Sequence, residues 1–295
     1  MPVLVDFSQI AISSMFALGD GRDVDESMLR HVILNSLRSI RNKTRHYGEF
    51  ILAIDSANSW RKEVFPYYKA NRKKGREDSG LDWKTIYGYI NNVKNEIRDN
   101  FKYKVIEVPR AEADDVIAAL VMANSSILSN SDDKDNILIV SEDKDFIQLQ
   151  RFGNVKQYAP IREKWLEGNG EDYLFEHILK GDPGDGIPNF LSADSCLVEK
   201  VRQKPVMSKK MEEWKKLDQE GFYKVLAKLS DELKIDVTRQ YNRNKTVIDL
   251  AEIPSGLNQK ILEEYENYKL PMKADLFGYF QKNQLRNLIE HINDF

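Results

Sequence analysis

The chain alternates between short, unbroken apolar runs and longer stretches whose apolar residues recur every three or four positions. Ile137, Leu138, Ile139 and Val140 form the clearest run, and branched residues without a polar break suit a parallel strand buried on both faces. Val3 to Val5, Phe50 to Ile54 and Val105 to Val108 repeat the pattern, and NVKQYAP after residue 153 predicts a further ribbon. Between these runs, Leu29, Val32, Ile33, Leu37 and Ile40 keep helical spacing inside a helix predicted over 26–47. Further helices are predicted over 83–101 and 171–180. The polar stretch 125–136 reads as a surface loop whose Asp132, Asp133 and Asp135 are merely solvated. Past Pro188 the strand signals fade, and 190–295 reads as mostly helical, most clearly at 217–233 and 258–268. Strands alternating with helices predict an α/β fold: a mostly parallel central sheet with right-handed crossovers and helices on both faces. A smaller, mainly helical C-terminal region follows, so the chain divides into 1–188 and 189–295.

Acidic residues sit where the runs end. Asp6 follows the first run and Asp55 the second, while RAEADDVIAALVMA carries Glu112, Asp114 and Asp115 from the third run into an apolar helix. Asp143 and Asp145 follow the central run, where Phe146, Ile147 and Leu149 predict the opening of a helix. GDPGDGIP adds Asp182 and Asp185. In open α/β sheets, ligands bind outside the carboxyl ends of the strands. One acid after a strand is commonly a helix cap, but five acidic sites in one topological location ask for more. Two carboxylates about 4 Å apart repel by roughly 4 kcal/mol at an effective dielectric of about 20, so such a pocket calls for a cation. Oxygen ligands select magnesium or manganese over zinc or copper. Nine carboxylates exceed the needs of one octahedral ion, and two ions would suit an in-line phosphoryl displacement.

Composition narrows the partners. With 41% hydrophobic and 31% charged residues, the 295-residue chain can bury a full core and is not disordered. Its single Cys196 excludes an intramolecular disulfide and a cysteine-cluster zinc site, and His31, His46, His177 and His291 are scattered without metal-ligand spacing. A reducing, cytoplasmic setting is expected, with neither a leader nor a membrane span. The net charge of −3 argues against nucleic acid only until the nine rim carboxylates are set aside, which leaves the remainder positive. The basic residues cluster between Arg61 and Arg76 (RKEVFPYYKANRKKGR), interleaved with Phe65, Tyr67 and Tyr68. That mixture suits phosphate contacts and stacking on an unpaired base; the ordinary alternative is a solvated loop. A second basic stretch, from Lys200 to Lys216, includes Lys209 and Lys210, with a solvated linker as its alternative.

In order and spacing, VDFS, AIDSAN, PYYKANR, EADDVIA, SEDKDFIQL and GDPGDGIPN resemble the motifs of the structure-specific 5′-nucleases, a PIN-like family that includes the flap endonucleases. The T-even phage ribonucleases H are the branch the chain most resembles, into the helical region as far as YKLP at Tyr268 to Pro271. The resemblance implies a first metal set of Asp6, Asp55, Glu112, Asp114 and Asp143. It implies a second of Asp115, Asp145, Asp182 and Asp185, some acting through water. It also implies a helical arch over about 58–80, at whose base Lys69 and Arg72 stabilise the developing phosphorane charge and Tyr68 stacks on the terminal base. Lys73, Lys74, Arg76, Lys209 and Lys210 would add contacts to DNA.

Two departures stand beside these matches. GDGIPNFLSADS lacks the second glycine pair of the family's duplex-gripping hairpin, and the chain begins almost at its first strand, which disfavours a sliding-clamp peptide. The resulting expectation is a monomeric, Mg2+-dependent (or Mn2+-dependent) 5′-to-3′ exonuclease and flap endonuclease. It would act on RNA·DNA hybrids and branched or nicked duplex DNA to remove primers in phage replication within the host cytoplasm, with a single-stranded-DNA-binding protein as a further candidate partner. A haloacid-dehalogenase-type phosphatase needs a second aspartate two residues after Asp6, where Ser8 stands. A silent junction-binding module is disfavoured because all nine acids are present.

Overall fold

The computed structural model describes residues 2–19, 24–128, 137–272 and 275–295. Six strands form one sheet: β1 (Val3–Asp6), β2 (Phe50–Ala53), β3 (Lys104–Ile106), β4 (Ile137–Val140), β5 (Val155–Ala159) and β6 (Lys164–Leu166), in the order β3-β2-β1-β4-β5-β6. The first five are mutually parallel and β6 pairs antiparallel with β5. From β1 the chain winds outward through β2 to β3, then returns to lay β4 on the other side of β1. The strand order therefore reverses between β1 and β4, the place where such sheets open a crevice at their carboxyl edge.

Alternation along the strands explains why their apolar runs are unbroken. Val3 and Val5 of β1 join a cluster with Leu52, Leu138 and Val140, covered by α1 (Phe7–Ala17), α2 (Glu26–Lys43) and, after the short α3 (Arg61–Val64) and the exposed α4 (Ala70–Asp78), by α5 (Trp83–Asn100). Leu4 points the other way, with Ile51, Ile106 and Ile139, beneath α6 (Ala113–Leu128). Both faces of the sheet are thus core, as parallel sheets require.

The helical remainder comprises α7 (Gly170–Lys180), α8 (Ser208–Trp214), α9 (Gln219–Leu233), α10 (Val237–Ile248), α11 (Ser255–Asn267), α12 (Leu276–Lys282) and α13 (Arg286–Ile289). It wraps the sheet from both sides: Leu257 and Ile261 of α11 pack on the α6 face, while Tyr279, Phe280 and Leu288 reach the opposite one.

Two local expectations change, and two elements are added. The residues after β4 form a 3₁₀ segment, Lys144–Phe152, rather than an α-helix; Asp143 caps it by accepting from the Asp145 amide at 2.9 Å. The antiparallel β6 and the helix α1, apolar on nearly every side, were not legible from periodicity. The segment read as a loop from 125 carries helix to Leu128, and 129–136, with Asp132, Asp133 and Asp135, lies outside the described residues. No helix among the described residues is long and apolar enough to cross a membrane.

Candidate active site

Each rim carboxylate is held by the element that delivers it. Asp6 ends β1 and caps α1, taking the Gln9 amide at 3.0 Å on one oxygen and the Ser141 hydroxyl at 3.1 Å on the other. That second bond ties the end of β1 to the end of β4 across the switch point. Asp55, just beyond β2, accepts from the Ala113 amide at 2.8 Å and so fixes the start of α6, whose positive end favours Asp114 in its first turn. Asp182 folds its own loop by accepting from the Gly184 amide at 2.8 Å.

That loop is bolted to the basic segment. The Lys69 amide donates to the Asp185 carbonyl at 2.7 Å and the Asn71 side chain to the Pro183 carbonyl at 2.8 Å. Gly186, at φ +74°, lies so close to Tyr67 that a Cβ would meet its carbonyl oxygen at 2.9 Å, and a glycine is required there.

Burial and mutual repulsion act together on Asp6, Asp114, Asp143 and Asp145. Burial first, then Asp55 and Asp143, push Asp6 up to about 7. Burial followed by Asp143 raises both Asp114 and Asp145 well above the usual carboxylate range, and burial with Asp185 and Asp182 raises Asp143. Glu112 shifts the opposite way. Burial alone would raise it, but Lys69 and Arg61 hold it at about 2. Its oxygens accept from Lys69 Nζ (2.5 Å), Arg61 (2.9 Å), the Tyr68 hydroxyl (2.9 Å) and the Ser59 hydroxyl (2.9 Å).

Stability of the metal-free protein should therefore rise as pH falls from 7.5 to 5. Asp6 titrates near 7 when folded against an ordinary 3.8, so between those values the folded chain holds a proton that the unfolded chain does not, and stability falls as pH climbs. Asp114 and Asp145 act in the same sense; His177, which burial lowers, acts against them, and Glu112, held at about 2, does so only toward the lower end of this window. Urea midpoints in EDTA at the two pH values test this; a midpoint higher at pH 7.5 contradicts it.

The structure links Asp6, Asp55, Glu112, Asp114, Asp143, Asp145, Asp182 and Asp185 through their charges, while Asp115 turns inward behind Glu112, with which it shares Arg61. Asp115 is 0% exposed. One residue after Asp114 on the same helix, it turns inward, where it accepts from Arg61 (2.8 Å), from Trp60 Nε1 (3.2 Å) and, reaching back over the first turn, from the Glu112 amide (2.8 Å). It is a helix-capping, charge-paired residue, with no oxygen turned to the rim. Arg61, counted among the basic residues of its segment, is the 2% exposed partner of this pair and meets no solvent phosphate.

Tyr68 also differs from expectation. Only 3% exposed, it offers no ring face to a base, and its hydroxyl bridges Glu112 and Asp185 (3.0 Å). Lys69 stands at φ 57°, its ammonium 2.5 Å from Glu112 and 3.5 Å from Asp185, and Arg72 pairs with Asp185. Lys73, Lys74 and Arg76 ride on α4, which buries none of its residues, and Lys209 and Lys210 lie exposed on α8. Sequence reasoning missed His177, which α7 sets beside Asp145 and Asp182, and Tyr173, whose hydroxyl donates to Asp145 at 3.1 Å. Their helical periodicity was legible, but not the face they share with residues before α7.

Comparison with known proteins agrees with this architecture. Residues 2–176 match the family model of the 5′-3′ exonuclease N-terminal resolvase-like domain, and residues 168–295 that of the T4 RNase H C-terminal region. The chain is 34% identical to the ribonuclease H of Enterobacteria phage T4, covering 99% of this chain and 95% of that one. It is 24% identical to a 5′-3′ exonuclease of Buchnera aphidicola, covering 63% and 64%. Among solved structures it resembles in fold the phage T5 D15 protein crystallised with metal ions (TM-score 0.58, 16% identity, 90% of this chain and 98% of that one). A complex of the T5 D15 flap endonuclease with DNA and metal ions matches similarly (TM-score 0.60, 16% identity, the same coverage). With a carboxylate-lined switch point, one family model spanning more than half its length and a relative matched end to end, the chain belongs to the 5′-3′ exonuclease family, its C-terminal region being of the T4 RNase H type.

Proposed function

We propose that this protein is a magnesium-dependent 5′-to-3′ exonuclease and flap endonuclease. It hydrolyses phosphodiesters in RNA·DNA hybrids and in branched or nicked duplex DNA, and it removes primers during phage replication. The carrying observation is the convergence of eight carboxylates on the switch point, bordered by Lys69 and Arg72. Asp6, Asp114, Asp143 and Asp145 resist ionisation together, as expected of oxygens arranged for shared cations. Asp6, Asp55, Glu112, Asp114 and Asp143 would hold one ion and Asp145, Asp182 and Asp185 a second; hard oxygen donors fit magnesium or manganese. When bound, such ions supply the Lewis acidity and charge neutralisation that phosphodiester hydrolysis needs.

The chain's own cations do the rest. Carboxylates at Asp185, Glu112 and Asp114 outweigh burial and keep Lys69 protonated, so its ammonium and the Arg72 guanidinium can neutralise charge growing on the scissile phosphate. Tyr68 holds Glu112 and Asp185 in register. In this reading 1–188 carries the chemistry and 189–295, with Lys209 and Lys210, contributes duplex backbone contacts, while Lys73, Lys74 and Arg76 follow the single strand.

A 5′-labelled flap substrate should be cut with Mg2+ or Mn2+ and left intact in EDTA. Full cleavage in chelator would overturn the metal assignment. Tight flap binding without cleavage at any metal concentration would instead make the chain a junction-binding module.

A further inference from the structure

His177 has no place in the all-carboxylate sets described above, yet it stands inside the second one. Its Nδ1 lies 3.3 Å from Asp145 Oδ1 and its Nε2 lies 3.9 Å from Asp182 Oδ2. One ligand atom from each of the three side chains falls within 4.8 Å of the other two, a spacing that a single ion can bridge. Nδ1 is a buried nitrogen without a hydrogen-bond partner, since its approach to Asp145 lacks the geometry of a bond. The Asp145 oxygen it faces is already served by the Tyr173 hydroxyl at 3.1 Å, and the Tyr173 ring holds the imidazole edge-on at 5.4 Å and 84°. The other Asp182 oxygen is engaged by the Gly184 amide. The imidazole is thus oriented by its surroundings, as ligating histidines usually are.

We infer that His177, Asp145 and Asp182 form a mixed nitrogen and oxygen site, and that this second position takes borderline first-row ions such as Co2+ or Zn2+ in preference to Mg2+. The inference rests on the proposed function only in placing a divalent ion at this rim. Imidazole nitrogen is a good donor to these borderline ions and a poor one to magnesium, which dehydrates reluctantly and favours oxygen. Replacing the imidazole should therefore change which ion is preferred, rather than whether an ion binds.

The test uses the metal-free full chain without nucleic acid. Co2+ titration, followed by visible absorption, is expected to show binding weakened at least about tenfold by His177→Gln, the lower end of what loss of a metal-supporting group costs. Mg2+ affinity, measured by calorimetry, should stay within twofold. Independently of any variant, the Co2+-loaded parent should display a strongly shifted, solvent-exchangeable imidazole N–H proton resonance, absent from His177→Gln. Equal Co2+ affinity in the two chains, or no shifted resonance in the parent, would reduce His177 to an ion-pair partner of Asp145 and overturn the inference. Equal loss of Co2+ and Mg2+ affinity would do the same, because it would mean the ring only positions the carboxylates. Failure of Mg2+-dependent flap cleavage strikes the proposed function and leaves these readings intact.

Discussion

Lys69→Ala should lower the single-turnover cleavage rate by about 10²- to 10³-fold, the cost of removing one donor aimed at developing transition-state charge, and Arg72→Ala should act in the same direction. Both side chains meet Asp185, and Lys69 reaches Glu112 as well, so they border the carboxylates where a scissile phosphate would lie. Lys69 is placed by its backbone: its left-handed conformation and the hydrogen bond its backbone N–H donates to the Asp185 carbonyl turn the chain so that the ammonium faces the rim. A charge used mainly as negative charge builds lowers kcat and kcat/KM together, whereas one used equally in ground and transition states changes KM alone. Lys209 and Lys210, exposed on α8, belong to the second kind. Their replacement by alanine should weaken binding and flatten its salt dependence, each lost phosphate contact reducing the slope by about one. The comparison is made at saturating metal, because Lys69 also compensates Glu112. If Lys69→Ala changes affinity and leaves the rate alone, the rim cations serve binding and their catalytic assignment fails.

Much of this rim is legible in the sequence because strand burial on both faces leaves unbroken apolar runs, and their ends mark the carboxyl edge without any knowledge of strand order. Asp6, Asp55 and Asp143 were found in that way. Asp114 and Asp115 show where the method stops. Both are acidic and adjacent, and only the rotation of about 100° per helical residue sends one to the rim and the other inward. What waits inside is Trp60 and Arg61, and a buried arginine carries no mark of burial in a basic stretch. Tyr68 and His177 fail for a related reason. An aromatic among cations reads as a stacking platform until the fold packs it with Phe65 and Ile187, and a lone histidine reads as unremarkable until α7 carries it across to Asp145.

Asp143→Asn should lose nearly all cleavage and yet melt higher than the parent when both are free of metal. Asp143 follows β4 at the switch point, and its carboxylate is repelled by Asp182 and Asp185 and in turn raises Asp6, Asp114 and Asp145. Asparagine keeps the size and the oxygen that accepts from the Asp145 amide, so the cap on the 3₁₀ segment survives while the charge goes. An unscreened pair at about 4 Å repels by roughly 4 kcal/mol at an effective dielectric of about 20, but one side of Asp143 is open to water. Screening leaves a net gain of about 1 kcal/mol or less, which corresponds to roughly 2 °C in a chain of this size. Magnesium should reverse the order. A single ion at a hundredfold excess over its dissociation constant stabilises the folded chain by about 2.7 kcal/mol, and the parent, with its full ligand set, should gain more of this than the variant. Thermal melts of the two chains in EDTA and in excess Mg2+, run beside flap cleavage, separate these effects. A metal-free Asp143→Asn that melts below the parent would make this carboxylate a structural cap and take it out of the metal site, whereas the opposite order marks a residue whose charge is tolerated for catalysis at the expense of stability.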